Sequence, residues 1–170
     1  MIGAVADAGP VIHLFEIGCL PLLQIFDLLH LPDAVWAETV GRGRVPDTAL
    51  GALAALRRQP PPDTTLLERF IHSRNLRHLH AGETQALHVA HELRVPILLT
   101  DDLAVRDAAH ALGLVPVGSL GVIARACRQR AVSLPDAEQR MMDLYNVSTL
   151  FVTRAIVDAA VAELRRRLGP

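Results

Sequence analysis

The chain has 170 residues, a formal net charge of −1 and a pI near 6.7. That length suits one domain with a sizeable core, and the charge balance excludes a strongly basic nucleic-acid coat while leaving room for a local arginine patch. All 17 basic residues are Arg, and the two cysteines, Cys19 and Cys127, show no pairing pattern, which fits two buried thiols in a reduced, cytoplasmic setting.

Residues 2–6 read as a first buried strand that ends at Asp7. No basic stretch precedes it, and Asp7 interrupts the apolar run, so no secretory signal is expected. Gly9-Pro10 opens a helix, with proline near the first position, where its missing N–H costs nothing. A short helix over 21–26 and a second strand over 28–31 follow. Residues 11–31 are rich in Leu and Ile, but Glu16, Pro21 and Asp27 break the run, so no membrane span is expected. Pro32-Asp33 caps a helix over 34–40 that packs Val35 and Trp36 and carries Glu38. Residues 41–46 form a loop and residues 47–58 an Ala-Leu helix. Pro60-Pro61-Pro62 is a stiff break. Residues 66–74 are helical by pattern, and 75–80 form an irregular bridge.

The most informative stretch is 81–106, AGETQALHVAHELRVPILLTDDLAVR. Gly82-Glu83-Thr84 opens a helix with Leu87, Ala90, His91 and Leu93 at helical spacing. Val95-Pro96 stops it. Ile97-Leu98-Leu99 is a short apolar run, the mark of a strand covered on both faces, and Thr100-Asp101-Asp102 leads into the next helix. About 11 residues of helix rise roughly 16 Å, and four or five residues of strand return about 13 to 17 Å. Glu83 and Asp101 should therefore finish at one edge.

Residues 102–112 form a helix closed by Gly113 in a C′ position, and 114–117 a further strand. Ser119 caps a helix over 120–130, and Pro135 starts one over 136–145. The last helix begins near Thr153 and places Ile156, Ala160, Leu164 and Leu168 on one stripe, with Arg165-Arg166-Arg167 where the helix dipole favours cations. Four strands alternate with helices. The expected fold is α/β, a three-layer α/β/α arrangement with a central, mainly parallel sheet. It is a single domain over 1–170 whose C-terminal part, from about 119, is helical.

Three acids fall where a strand meets a helix or a helix starts: Asp7, Glu83 and Asp101. Each alone is well explained as a cap or a dipole partner. Together they differ, because parallel strands deliver their C-terminal ends to one rim. Carboxylates crowded there repel, and hard oxygen ligands favour Mg²⁺ or Mn²⁺ as the counter-ion. The matching chemistry is metal-activated water attacking a phosphodiester in line.

These motifs are Asp7-Ala8-Gly9-Pro10, Glu38 in PDAVWAE, Gly82-Glu83-Thr84, and Thr100-Asp101-Asp102 through Arg106. In this order and spacing, from about residue 5 to 122, the chain resembles a PIN domain, the metal-dependent ribonuclease fold of VapC-type toxins. The resemblance implies an acidic quartet of Asp7, Glu38, Glu83 and Asp101. Asp7 and Asp101 would bind the metal directly, Glu83 directly or through water, and Glu38 would sit in the outer shell or orient the attacking water. It implies supporting roles for Thr100 on the acids or substrate, Asp102 on a second ion, and Arg106 on a phosphate or in neutralising the cluster. For Asp102 the alternative is a solvent-facing helix start, and for Arg106 an i, i+4 pair with Asp102. Many PIN domains follow the first Asp with a hydroxyl residue; here Ala8 stands there, so backbone N–H groups must orient Asp7.

An endoribonuclease using Mg²⁺ or Mn²⁺ on RNA, the toxin of a toxin–antitoxin pair, is the leading expectation. A small antitoxin protein and a second copy of the chain are the implied protein partners. The alternative is a catalytically weak or inactive PIN-like module that grips RNA or protein. His78, His80, His88 and His91 lack the spacing of a zinc site and read as surface or packing residues. No G-x-G-x-x-G follows the first strand, which disfavours a dinucleotide fold.

Overall fold

The computed structural model describes residues 2–168. Its centre is a five-stranded, all-parallel sheet in the order β3-β2-β1-β4-β5. The strands are β1 (Gly3–Ala6), β2 (Leu28–Pro32), β3 (Leu56–Gln59), β4 (Ile97–Leu99) and β5 (Val115–Val117). The helices are α1 (Ala8–Glu16), α2 (Asp33–Trp36), α3 (Asp47–Gly51), α4 (Thr64–Ser73), α5 (Ala81–Glu92), α6 (Leu103–Ala111), α7 (Ser119–Arg128), α8 (Leu134–Asn146) and α9 (Arg154–Leu168). A 3₁₀ segment (Leu20–Ile25) precedes β2, and α2 continues into a wide π-type turn (Ala37–Gly41).

The sheet divides the core in two. Side chains alternate along a strand, so Ala4 and Ala6 of β1 and Ile97 and Leu99 of β4 join one apolar cluster with Leu14, Leu23, Ile123 and Met141. Val5 and Leu98 point the other way, into a smaller cluster with Phe70, Leu87, Val105 and Ala109. Helices α1, α7, α8 and α9 cover the first face and α4, α5 and α6 the second, which makes the three layers. Among the described residues, no helix is long and apolar enough to cross a membrane.

Most boundaries follow local chemistry. Asp63, Asp102 and Ser133 cap α4, α6 and α8 by accepting backbone N–H groups. Gly113 ends α6 at φ +74°, a left-handed turn that glycine adopts without a side-chain clash.

Three expectations need correction. Residues 47–58 are not one helix: α3 stops at Gly51, and residues 56–59 form a fifth strand paired to β2. The Ala and Leu there favour helix, but a free β2 edge with unpaired backbone groups outweighs that small preference. Ser119 does not cap α7; Gly118 is the cap residue, and Ser119 begins the helix with its side chain turned elsewhere. On α9 the inward residues are Val157 and Leu164, while Ile156 and Leu168 are exposed.

The strand order fixes where a ligand can go. The chain builds outward from β1 through β2 to β3, then returns to the other side of β1 with β4 and β5. The reversal lies between β1 and β4, and the C-terminal ends of such a pair open a crevice.

Candidate active site

Asp7 leaves β1 and Thr100-Asp101 leaves β4 at that crevice. Two backbone bonds prolong the pairing past the strand ends: Asp7 N–H donates to the Leu99 carbonyl at 2.9 Å, and Thr100 N–H to the Val117 carbonyl at 2.9 Å. Asp7 also caps α1. Its Oδ1 accepts the Ala8 N–H at 2.7 Å, and its Oδ2 accepts the Thr100 hydroxyl at 3.1 Å. The backbone thus orients Asp7 where the chain has no hydroxyl at position 8. Asp7 is only 5% exposed. Burial pushes its carboxyl up to about 7, the charges of Glu83 and Glu38 push the same way, and the bonds from Ala8 and Thr100 oppose them.

Asp101 is held by three donors. Its Oδ1 accepts the Ser119 N–H at 2.7 Å. Its Oδ2 accepts the Ser119 hydroxyl at 2.6 Å and lies 2.8 Å from His13 Nδ1. An ionised carboxylate only accepts, so Nδ1 carries the imidazole proton in that bond. Glu83, in the first turn of α5, accepts the His80 N–H on Oε2 at 2.8 Å, leaving Oε1 for other partners. Glu38 projects from the wide turn after α2 onto α5, where a Cβ at Gly82 would stand 2.7 Å from its Oε1. Likewise a Cβ at Gly118 would stand 2.8 Å from Asp101 Oδ1. Both glycines therefore clear space for a carboxylate.

Asp7, Glu38, Glu83 and Asp101 line one cavity of about 690 Å³, which His13 and Arg42 also line. Asp102 lines it too, but is exposed and caps α6 by accepting the Val105 N–H at 3.0 Å. Arg106 makes no ion pair with Asp102 among the described residues; its Nη1 lies 3.5 Å from the Thr100 carbonyl, and it faces a neighbouring groove. His80 lines the acidic cavity, whereas His88 and His91 pack on Phe70 with ring centroids 5.2 and 5.4 Å away.

A family model described as DUF3368, a PIN domain, matches residues 3–166. The chain belongs to the PIN-domain family. No curated protein and no solved structure gives a significant match. PIN domains are generally nucleases and typically use divalent metal ions.

The residues of this PIN domain fit such an ion by donor type. Four carboxylates from separate segments share a cavity, their oxygens are the donors Mg²⁺ and Mn²⁺ favour, and a cation among them would offset the burial and the neighbouring charges that together hold the Asp7 proton. As the side chains stand, no three His, Cys, Asp or Glu among the described residues converge on one ion-sized point. The fit therefore lies in chemistry and common access rather than in a finished cage. Two site residues escaped the sequence reading, His13 and Ser119. His13 stands four residues after Gly9, one helical turn along the face of α1 that starts at the crevice. Ser119 follows β5, the neighbour of β4, but its hydroxyl reads equally well as a helix cap.

Proposed function

We propose that this PIN domain is an endoribonuclease that uses Mg²⁺ or Mn²⁺, and that it serves as the toxin of a toxin–antitoxin pair in the cytosol, where Cys19 and Cys127 stay as free thiols. The observation that carries this reading is the sharing of one cavity by four carboxylates from separate segments, one of them buried with its proton held up to about 7. A bound divalent ion would supply activated water for in-line attack on a phosphodiester. Asp7, Glu83 and Asp101 would hold the ion. Glu38, backed by Gly82, would orient the water. Thr100 fixes Asp7, and Arg106 would meet a phosphate beside the cavity. Single-stranded RNA incubated with the chain and Mn²⁺ should be cut, EDTA should stop the cutting, and Asp7→Asn and Glu38→Gln should each abolish it. Cutting that persists in EDTA, or in both variants, removes the mechanism.

A second reading is a PIN module that binds without cutting. It is favoured by the state of Asp101, whose oxygens already take three hydrogen bonds, and of Glu83, with one oxygen engaged. Calorimetry with Mn²⁺ separates the two: an enzyme binds the ion through the acids, and a binding-only module gives no acid-dependent heat. A homodimer is also proposed, on the exposed Tyr145 and Val147 at the end of α8, away from the residues that line the two cavities. Light scattering of the purified chain tests it.

A further inference from the structure

Beside the acidic cavity runs a second groove of about 640 Å³, lined by Leu103, Ile156, Arg106 and Arg128 among others. The two cavities share Asp101, Leu150 and Phe151. Phe151 is 99% exposed, an unusual state for a phenyl ring, and Leu103 in the groove is 76% exposed. The ring is not on a loose end. It belongs to the strap between α8 and α9, which is tied down two residues earlier. There the Thr149 N–H donates to Glu16 Oε2 at 2.7 Å, its hydroxyl donates to Glu16 Oε1 at 2.9 Å, and Arg44 joins the same carboxylate at 3.2 Å. Each of the two cavities that the ring lines also holds an exposed guanidinium, Arg42 in the acidic cavity and Arg128 in the groove, neither with a hydrogen-bond or ion-pair partner among the described residues.

We propose that Phe151 is a base-stacking platform that seats a single-stranded RNA segment, with Arg42 and Arg128 taking its phosphates as the strand passes from the groove to the carboxylates. The proposal rests on the ribonuclease reading and adds how the substrate is held. An exposed aromatic face sharing its cavities with unpaired guanidinium groups is the combination that single strands favour, because every base offers a π face and every linkage a charge. An apolar protein partner would fit the ring and Leu103 but leave the arginines unanswered; an RNA strand uses both.

The test is the anisotropy of a labelled ten-nucleotide single-stranded RNA titrated with the full chain in EDTA, where binding is read without cleavage. Phe151→Ala should weaken binding about tenfold to a hundredfold, and Phe151→Trp should restore it. A ring so exposed supports no core, so both variants should unfold at the wild-type temperature. Unchanged binding by Phe151→Ala, or no RNA binding by the wild-type chain, overturns the proposal. So does a Phe151→Ala chain that passes from dimer to monomer in light scattering, which would make the ring a protein contact. A parallel cleavage assay in Mn²⁺ keeps the two ideas apart. Loss of binding in Phe151→Ala with no cutting by wild type sinks the nuclease alone. Cutting by wild type with unchanged binding in the variant sinks the stacking role alone.

Discussion

Asp7 combines a structural duty with an electrostatic strain, and replacing it with Asn separates them. Its carboxyl rises from an ordinary 3.8 to about 7. Between those values the folded chain keeps a proton that the unfolded chain has released, so stability falls as pH rises through the window and the loss is complete above pH 7. At about 1.4 kcal/mol per pH unit the window is worth on the order of 4 kcal/mol. Burial is the largest cause of that rise, and relaxation with water entry around the carboxyl lowers the figure to about 2 kcal/mol. Asn keeps an oxygen for the Ala8 N–H, and the Thr100 hydroxyl can turn to accept from the new amide. Asp7→Asn should therefore stabilise the chain in EDTA by about 2 kcal/mol at pH 8, or roughly 4 to 8 °C in Tm for a domain this size, and by clearly less at pH 5. Thermal unfolding followed by circular dichroism at both pH values reads this directly. Mn²⁺ at about a hundred times its dissociation constant should then add about 2.7 kcal/mol to wild type and little to the variant. An equal Tm difference at pH 5 and pH 8, or a variant less stable than wild type at pH 8, would refute the account of Asp7.

Gly82→Ala places a Cβ 2.7 Å from Glu38 Oε1; the carboxylate end can swing away, so urea unfolding should stay within about 1 kcal/mol of wild type while Mn²⁺-dependent cleavage falls about a hundredfold. Ser119→Ala removes the hydroxyl 2.6 Å from Asp101 Oδ2 and keeps the backbone bond to Oδ1, so a loss of about 2 kcal/mol in urea unfolding is expected; no loss would mean that Asp101 does not depend on that contact. Burial lowers the His88 imidazole from its usual 6.5, so the unfolded chain takes up a proton that the folded ring resists, and stability is lost as pH falls below about 6.5. His88→Gln should flatten that acid-side decline in a Tm-against-pH series, and an unchanged slope would exclude His88 as its source.

The fold was legible wherever a segment carried its own instructions. The apolar run 97–99 is buried on both sides of the sheet, and the proline and glycine stops around 95–96 and 113 fall at element ends. Where neighbours decide, the chain alone misleads. Leu56-Arg57-Arg58-Gln59 has neither the alternation nor the β-branching of a strand, and it becomes one because β2 offers it an edge. Arg58 then pairs with Asp33 and lies 4.8 Å over the Trp36 ring. No window of local sequence contains that pairing. The stripe on α9 failed for a related reason. Helical spacing offers several candidate faces, and the partner helices α7 and α8 chose the one through Val157 and Leu164.

The same division runs through the site. Asp7, Glu83 and Asp101 could be placed at one rim because parallel strands end there. Their partners could not, since Ser119 and His13 reach Asp101 only once β4 lies between β1 and β5. Nor could sequence separate a capping carboxylate from one with chemical work, because both sit at the same junction. Burial and surroundings make that distinction. Asp102 caps α6 in the open, and solvation with one backbone bond accounts for it. Asp7 also caps a helix, but it is buried beside Glu83 and Glu38 and holds its proton to about 7, which capping does not require. Gly82 and Gly118 point the same way, since each leaves a Cβ-sized space that a carboxylate occupies. A fold that only needed caps would have no use for that space, whereas the proposed cation site needs the room for its carboxylates.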